Sequence, residues 1–475
     1  MKPETEVNED DMFNTEQGFM DALYGIYVNM GKSDLYGGTL QTALDMTAQY
    51  YSYYDISECP YGHYQTFEYE HPSCTAISDA LWMRIYYCIG LTNNLLKYLD
   101  KPEAVQICSN YDYLRGEALA LRAYLHFELI RIFAPDVKKN PEYKSIPYRK
   151  TFSPDIEPQL KVKEVYQEIL ADLTEAKQLL SNDVIRTNGP DWLGESEKKE
   201  ESDDVTDKNE GYYTSDFLKT RKYRMNYYAV LGTLARVHLT LGTTDDMEKA
   251  YDYAMEVIES GKFRPIQEEH ILVSGEQAKY RDILFTDEFI FGLYSAQVDA
   301  FYKSNFDESY GVKKILINKL SDIYGQGTRD LRQTHWFKTS WGTSYLLKHN
   351  ADLEYAKEKV RMITLAEMYY IAAEAHPAEA YDLLEEILPS REIHSSLPVN
   401  AGRTEVLTEV LKEYRKEYIG DGQFFYAYKR LIEEEAAIHP LGINIPNENK
   451  VLVWPLPQDE IKYGDRESGI WKTEK

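Results

Sequence analysis

Apolar residues recur at helical spacing through most of this chain. Between 15 and 30 they fall at Phe19, Leu23, Ile26 and Tyr27, and Asn14 with Gln17 three places on has the form of a capping box. The stretch 78–99 carries Leu81, Ile85, Cys88, Ile89, Leu95 and Leu96 on one stripe. The stretch 113–133 carries Ala118, Leu121, Leu125, Phe127, Leu129 and Ile132, and Pro135 stops it. Helices are also predicted over 162–180, 226–241 (ended by Gly242), 247–259 (closed by Gly261), 360–374, 378–388 and 406–431, the last broken at Gly420–Gly422, with a short helix near 40–51.

Three pairs among these have a helix-turn-helix layout: 113–133 with 162–180, 226–241 with 247–259, and 360–374 with 378–388. The middle pair has about the length of a tetratricopeptide repeat, with small residues Gly232, Ala235, Ala250 and Ala254 where helices can approach. The repeats are degenerate and unevenly spaced, which predicts a curved scaffold with loops hung on it rather than a regular solenoid. Strand content is minor: a short apolar strand or buried turn over 288–293 and a hairpin over 336–347. The stretches 36–74 (outside the short helix) and 301–310 read as irregular and aromatic, 189–211 as an exposed charged loop, and 451–457 as extended, held open by Pro455 and Pro457. The fold class is therefore mainly α with long irregular loops and minor short β. We read 1–475 as a single domain with an N-terminal scaffold part, 13–260, and a C-terminal part, 261–475.

With 53 basic against 79 acidic residues the formal net charge is -26, which argues against nucleic-acid and anionic membrane ligands. No stretch of about 18 apolar residues is present to span a bilayer. The start, Met1-Lys2-Pro3-Glu4-Thr5-Glu6, is polar, as expected of a chain whose leader has been removed, and does not argue for the cytoplasm. Cys59, Cys74, Cys88 and Cys108 match no zinc spacing; Cys88 reads as core, and Cys59 and Cys74 could pair in an oxidising compartment.

Tyrosine is the outlier at 41 residues, and its flat apolar face with a hydroxyl tip suits both wet helix seams and sugar rings. Aromatic platforms on loops held by a rigid frame are what sugar binding needs. Two clusters qualify: Tyr50, Tyr51, Tyr53, Tyr54, Tyr61 and Tyr64, and then Tyr302, Phe306, Trp336 and Trp341. Trp192 in the charged loop is a further candidate. Most tyrosines of such a chain belong to packing, which competes with this reading at every position.

Several segments in order resemble the SusD/RagB family. They are Phe13-Asn14-Thr15-Glu16 leading into Ala22-Leu23-Tyr24-Gly25-Ile26-Tyr27; Trp82, Tyr86, Ile89 and Asn93-Asn94-Leu95-Leu96; Arg115 to Phe127 with Leu129, Arg131 and Phe133; and Leu234-Ala235-Arg236-Val237-His238-Leu239. Arg361 with Leu365-Ala366-Glu367-Met368-Tyr369, the stretch from Leu411 to Arg430, and Pro455-Leu456-Pro457 follow. The sequence departs from the family at Glu413-Tyr414-Arg415-Lys416-Glu417, which keeps one Arg of an expected pair, and at Phe424-Phe425-Tyr426-Ala427, which replaces a later Arg and Asp. The matched positions read as scaffold: Trp82 as core, and Arg122, Arg236 and Arg361 as half-buried ion-pair partners of Glu117, Glu367 and Glu374.

The resemblance implies a SusD-like helical fold and a lipid-anchored protein on the extracellular face of the outer membrane, its anchoring cysteine upstream of Met1. It also implies capture of an oligosaccharide, or in some branches a peptide, for a SusC-like TonB-dependent transporter. No residue-by-residue transfer of ligand contacts follows from it. No catalytic motif such as G-x-S-x-G or H-E-x-x-H occurs, the His show no ligand spacing, and neither a cofactor nor a metal is expected. A helical glycoside hydrolase or a tetratricopeptide-like adaptor are the competing readings.

Overall fold

Thr15, not Asn14, caps the first long helix, its Oγ1 accepting from the Gly18 N–H at 3.2 Å. The computed structural model describes residues 9–193, 216–306, 315–317, 320–327, 329–349, 352–432, 445–446 and 448–471. Its helices of eight or more residues are α1 (Glu16–Met30), α2 (Thr39–Thr47), α3 (Pro72–Leu99), α4 (Tyr111–Phe133), α5 (Val162–Leu179), α6 (Tyr227–Leu241), α7 (Thr244–Glu259), α8 (Val298–Phe306), α9 (Leu365–Ala375), α10 (Ala380–Ile387), α11 (Arg403–Glu417) and α12 (Phe424–Leu431). The expected pairs are present: α4 packs on α5, α6 on α7 and α9 on α10.

Glycines allow close approaches, one between α4 and Leu180 just past α5 and one between α6 and Ile363. A Cβ at Gly116 of α4 would stand 2.8 Å from Leu180 Cγ, and one at Gly232 of α6 would stand 2.9 Å from Ile363 Cγ2. Gly242 ends α6 at φ +68°, in the left-handed region that only glycine enters freely. The break after α11 is made by Gly420 and Gly422, at φ +84° and +70°. A continuous set of buried apolar residues, from Phe13 to Trp454 and including Trp82, joins the pairs.

Among the described residues, three two-stranded antiparallel sheets sit among the helices: β1 (Tyr51–Tyr53) with β3 (Ile315–Ile317), β2 (Phe289–Tyr294) with β6 (Lys359–Thr364), and β4 (Phe337–Ser340) with β5 (Thr343–Leu346). The expected strand near 288–293 and the hairpin over 336–347 are both present. The helix expected from 360 begins only at Leu365. The apolar run of β2 needs a hydrogen-bonding partner, and the β-branched stretch before Leu365 supplies it, Leu293 lying opposite Val360 and Phe289 opposite Thr364. The expected loop over 301–310 is instead helix α8 as far as Phe306, because Val298, Tyr302 and Phe306 form one buried stripe; 307–310 lie outside the described residues. The segment from 451 opens with a helical turn, Asn449–Leu452, before becoming extended. Most of the charged loop, 194–211, lies outside the described residues.

The expected ion pairs are present and buried, with partly different partners. Arg236 holds Glu367 at 2.5 Å as expected, but Arg122 holds Asp172 at 2.7 Å rather than Glu117. Arg361 holds Glu417 at 2.6 Å, while Glu374 pairs with Arg430 and Glu117 with Arg221 and Arg224. Glu417 is the hub: Arg332 at 2.9 Å and Arg391 at 3.4 Å reach it too. Burial pushes Glu417 up, but the three arginines outweigh it and hold the carboxyl well below its usual range. The α11 acids Glu413 and Glu417 therefore draw their arginines from other elements.

Candidate functional site

Seven of the ten sequence candidates turn inward. Tyr50, Tyr51, Tyr61, Tyr64, Tyr302, Phe306 and Trp336 are buried, and the polar tip of each that has one is satisfied inside. The Tyr50 hydroxyl donates to the Arg415 carbonyl at 2.6 Å, Tyr51 to Asp45 Oδ2 at 2.9 Å, and Tyr302 to the Gly420 carbonyl at 3.1 Å. Tyr64 donates to the Cys74 carbonyl at 3.0 Å, and its ring lies 4.6 Å from that of Trp454. Tyr61 shares a hydrogen bond with Thr39 at 3.3 Å. Phe306 stacks on Tyr302 at 5.1 Å. Trp336 Nε1 donates to the Ile283 carbonyl at 2.6 Å, with the Lys348 ammonium 4.2 Å from its ring. These rings have no free face for a ligand, so the platform expected of them does not form. The physical reason is that these segments pack among the scaffold helices, where aromatic area and paired hydroxyls are worth most. The cysteines are likewise buried free thiols, Cys59 and Cys74 unbridged.

The buried set is welded to the Gly420 turn by titratable groups. Asp45 Oδ2 accepts from Tyr51 and from the Gly420 N–H at 2.6 Å. Burial pushes Asp45 up to about 8, so its carboxyl is protonated at neutral pH. Lys348 donates to the Ile419 carbonyl at 2.9 Å and to Asp421 at 2.8 Å, and burial, with Arg361 nearby, brings it down to about 8.

Three candidates face solvent. Tyr53 is half-buried at the end of β1, its ring over Gly62, where a Cβ would stand 3.2 Å from Tyr53 Cε1. Tyr54 follows it and is 60% exposed. Trp341 is 102% exposed, as open as a side chain on an unfolded chain. It sits at the tip of the β4–β5 hairpin, where Ser340 pairs with Thr343 and leaves Trp341-Gly342 as a two-residue turn. Both turn residues have positive φ, +52° and +80°, as a mirror-image turn of this length requires. Gly342 adopts that conformation freely; a tryptophan there costs about 1–2 kcal/mol. Buried Phe337 and Leu346 and the Thr339–Ser344 side-chain hydrogen bond at 3.0 Å fix the hairpin base. Strand β5 packs beside β3, which pairs with β1, so the hairpin that carries Trp341 and the strand that leads to Tyr53 and Tyr54 flank the same strand.

This arrangement can stack a flat apolar face without touching the core. Among the described residues, no group of three or more His, Cys, Asp or Glu is placed to hold a metal ion, and no helix is long and apolar enough to cross a membrane. A cavity of about 60 Å³ lies among the scaffold helices, lined by Arg236, Glu367 and Lys429 among others. That is room for a few waters beside groups that are already paired. An aromatic pair, exposed Tyr294 against part-buried Tyr223, lies outside both clusters that sequence spacing picks out; its signal is an aromatic ending an apolar strand.

The fold has counterparts among solved structures. A SusD superfamily protein from Bacteroides thetaiotaomicron superposes with a TM-score of 0.70 at 20% identity, over 95% of this chain and 98% of the other. One from Bacteroides vulgatus gives 0.71 at 21% identity, over 97% and 100%. The fold is SusD-like. A SusD-like carbohydrate binding protein from Bacteroides vulgatus gives a TM-score of 0.64 at 19% identity, over 88% and 83%. In sequence, residues 5–189 match the SusD-like family described as "Starch-binding associating with outer membrane". No curated protein matches the sequence. The expected resemblance therefore holds, in fold over nearly the whole length and in sequence over the N-terminal part. The matched residues include α1, α3 and α4, the helices that carry the first three resembling segments.

Proposed function

We propose that this SusD-like chain is a cell-surface glycan-binding protein that stacks sugar rings on Trp341, with Tyr54 and Tyr53 as neighbouring contacts, and passes the oligosaccharide on unchanged. The observation that carries the reading is Trp341 itself. Asparagine or glycine would make its turn at no strain, and a tryptophan there leaves a large apolar face in water. Strain and exposure at one loop tip point to a contact made outside the chain. The buried acids favour binding without chemistry: Glu117, Glu413 and Glu417 are each locked by arginines. In this reading an N-terminal lipid anchors the protein at the outer membrane's extracellular face, and the receiver is a SusC-like TonB-dependent transporter.

A glycan array followed by calorimetric titration and product analysis tests it. The expected result is binding of at least one glycan class, no cleavage products, and loss of binding in Trp341→Ala. Binding of peptides alone, or release of shorter sugars, sinks it.

A further inference from the structure

The sheet β2–β6 presents a second aromatic surface. Tyr223 and Tyr294 lie ring against ring, centroids 4.3 Å apart at 37°, and Tyr294 is 54% exposed. The seat for Tyr223 is built. Thr220, at φ +48°, turns the chain into a short helix, Arg221–Tyr223, and its N–H is held by the Trp192 carbonyl at 2.9 Å. Arg221 is fully buried and pinned by Asp183 at 2.7 Å and by Glu117. On the sheet side Gly292 gives the ring its place: a Cβ there would stand 3.1 Å from Tyr223 Cδ1. Phe289 meets the same ring edge-on at 6.4 Å. Beside the pair, Asp191 is 60% exposed and bridges Lys222 at 2.6 Å, while Tyr294 lies opposite Lys359 across the sheet.

The geometry points to a second sugar contact: we propose that Tyr294, backed by Tyr223, stacks one pyranose ring on its outward face, with the Asp191 carboxylate accepting from the sugar's hydroxyls. A ring pair of this size matches a single sugar rather than a protein partner, whose interfaces are many times larger. The adjacent carboxylate and the two phenol hydroxyls supply the directional polar groups that a neutral sugar needs and a lipid does not. This proposal rests on the glycan reading above and adds a site that does not involve the β4–β5 hairpin.

The test is native affinity electrophoresis through gels containing amylopectin, xylan, laminarin or mannan, comparing wild type with Tyr294→Ala, Tyr294→Trp, Tyr223→Ala and Trp341→Ala. For a polymer that retards the wild type, Tyr294→Ala is expected to weaken retention about five- to tenfold, the worth of one aromatic stacking contact. Tyr294→Trp, which keeps a flat face, retains binding. Unchanged melting temperatures separate lost contact from lost fold. If Tyr294→Ala and Tyr223→Ala run as wild type while Trp341→Ala loses retention, the second site is overturned and the hairpin reading stands. If no polymer of the set retards the wild type, this second site falls for want of a sugar, and the glycan array decides the hairpin reading separately.

Discussion

Trp336 and Trp341 mark the base and the tip of one hairpin, and they meet opposite environments. Trp336 is fully buried, its indole N–H spent on the Ile283 carbonyl and its face covered by Lys348. Trp341 touches nothing that removes it from water. The same contrast divides strand β1 from the residue that follows it: Tyr51 is sealed against Asp45 and Tyr54 is open. An aromatic whose polar tip is satisfied inside serves the fold; one whose face stays wet in a strained turn serves something outside it.

The contrast can be broken at its charged foundation first. Glu417→Ala strands Arg332, Arg361 and Arg391 in the core and is expected to cost about 3–5 kcal/mol or to prevent folding. Expression yield and urea denaturation measure this, and a near-neutral change contradicts the account of the hub. Trp336→Ala is expected to lose about 3–5 kcal/mol, whereas Trp341→Ala loses less than about 1. Equal losses in the two variants erase the distinction between base and tip.

A smaller effect depends on pH. Asp45 has a folded pKa near 8, above the ordinary carboxylate range, so the folded state holds its proton more tightly than the unfolded chain. Its burial therefore weighs against folding progressively as pH rises from about 4 to about 8, and fully above that. Asp45→Asn keeps an acceptor for Tyr51 and Gly420 without the titration. Its stability advantage over wild type should grow between pH 5 and pH 8, read from melting temperature across that range; parallel curves contradict the sign. Smallest of all, Trp341→Asn relieves the strained turn and is expected to gain up to about 1 kcal/mol while binding is lost.

Much of the scaffold was legible because helical periodicity is local. Leu81, Ile85 and Leu96 declare α3 without reference to any other segment, and the polar run Thr339 to Ser344 around Gly342 declares the hairpin. Strand β6 was not legible, since Val360 to Thr364 pairs with a segment far away in the chain. Ion-pair partners failed for the same reason: Glu117 and Arg221 are set together by folding, and adjacency in sequence favours other choices. Loop tyrosines were hardest. Tyr51 and Tyr54 are alike in composition and setting, and only tertiary packing separates them. Trp341 carried a readable clue, standing immediately before glycine in a run of turn-forming residues.

The central claim rests on the hairpin tip, and titration calorimetry with a glycan retained on the array tests it most directly, using wild type and Trp341→Ala side by side. The account predicts that the variant keeps the wild-type melting temperature within a degree or two and loses about tenfold or more in affinity. Undiminished affinity in a folded Trp341→Ala protein contradicts it.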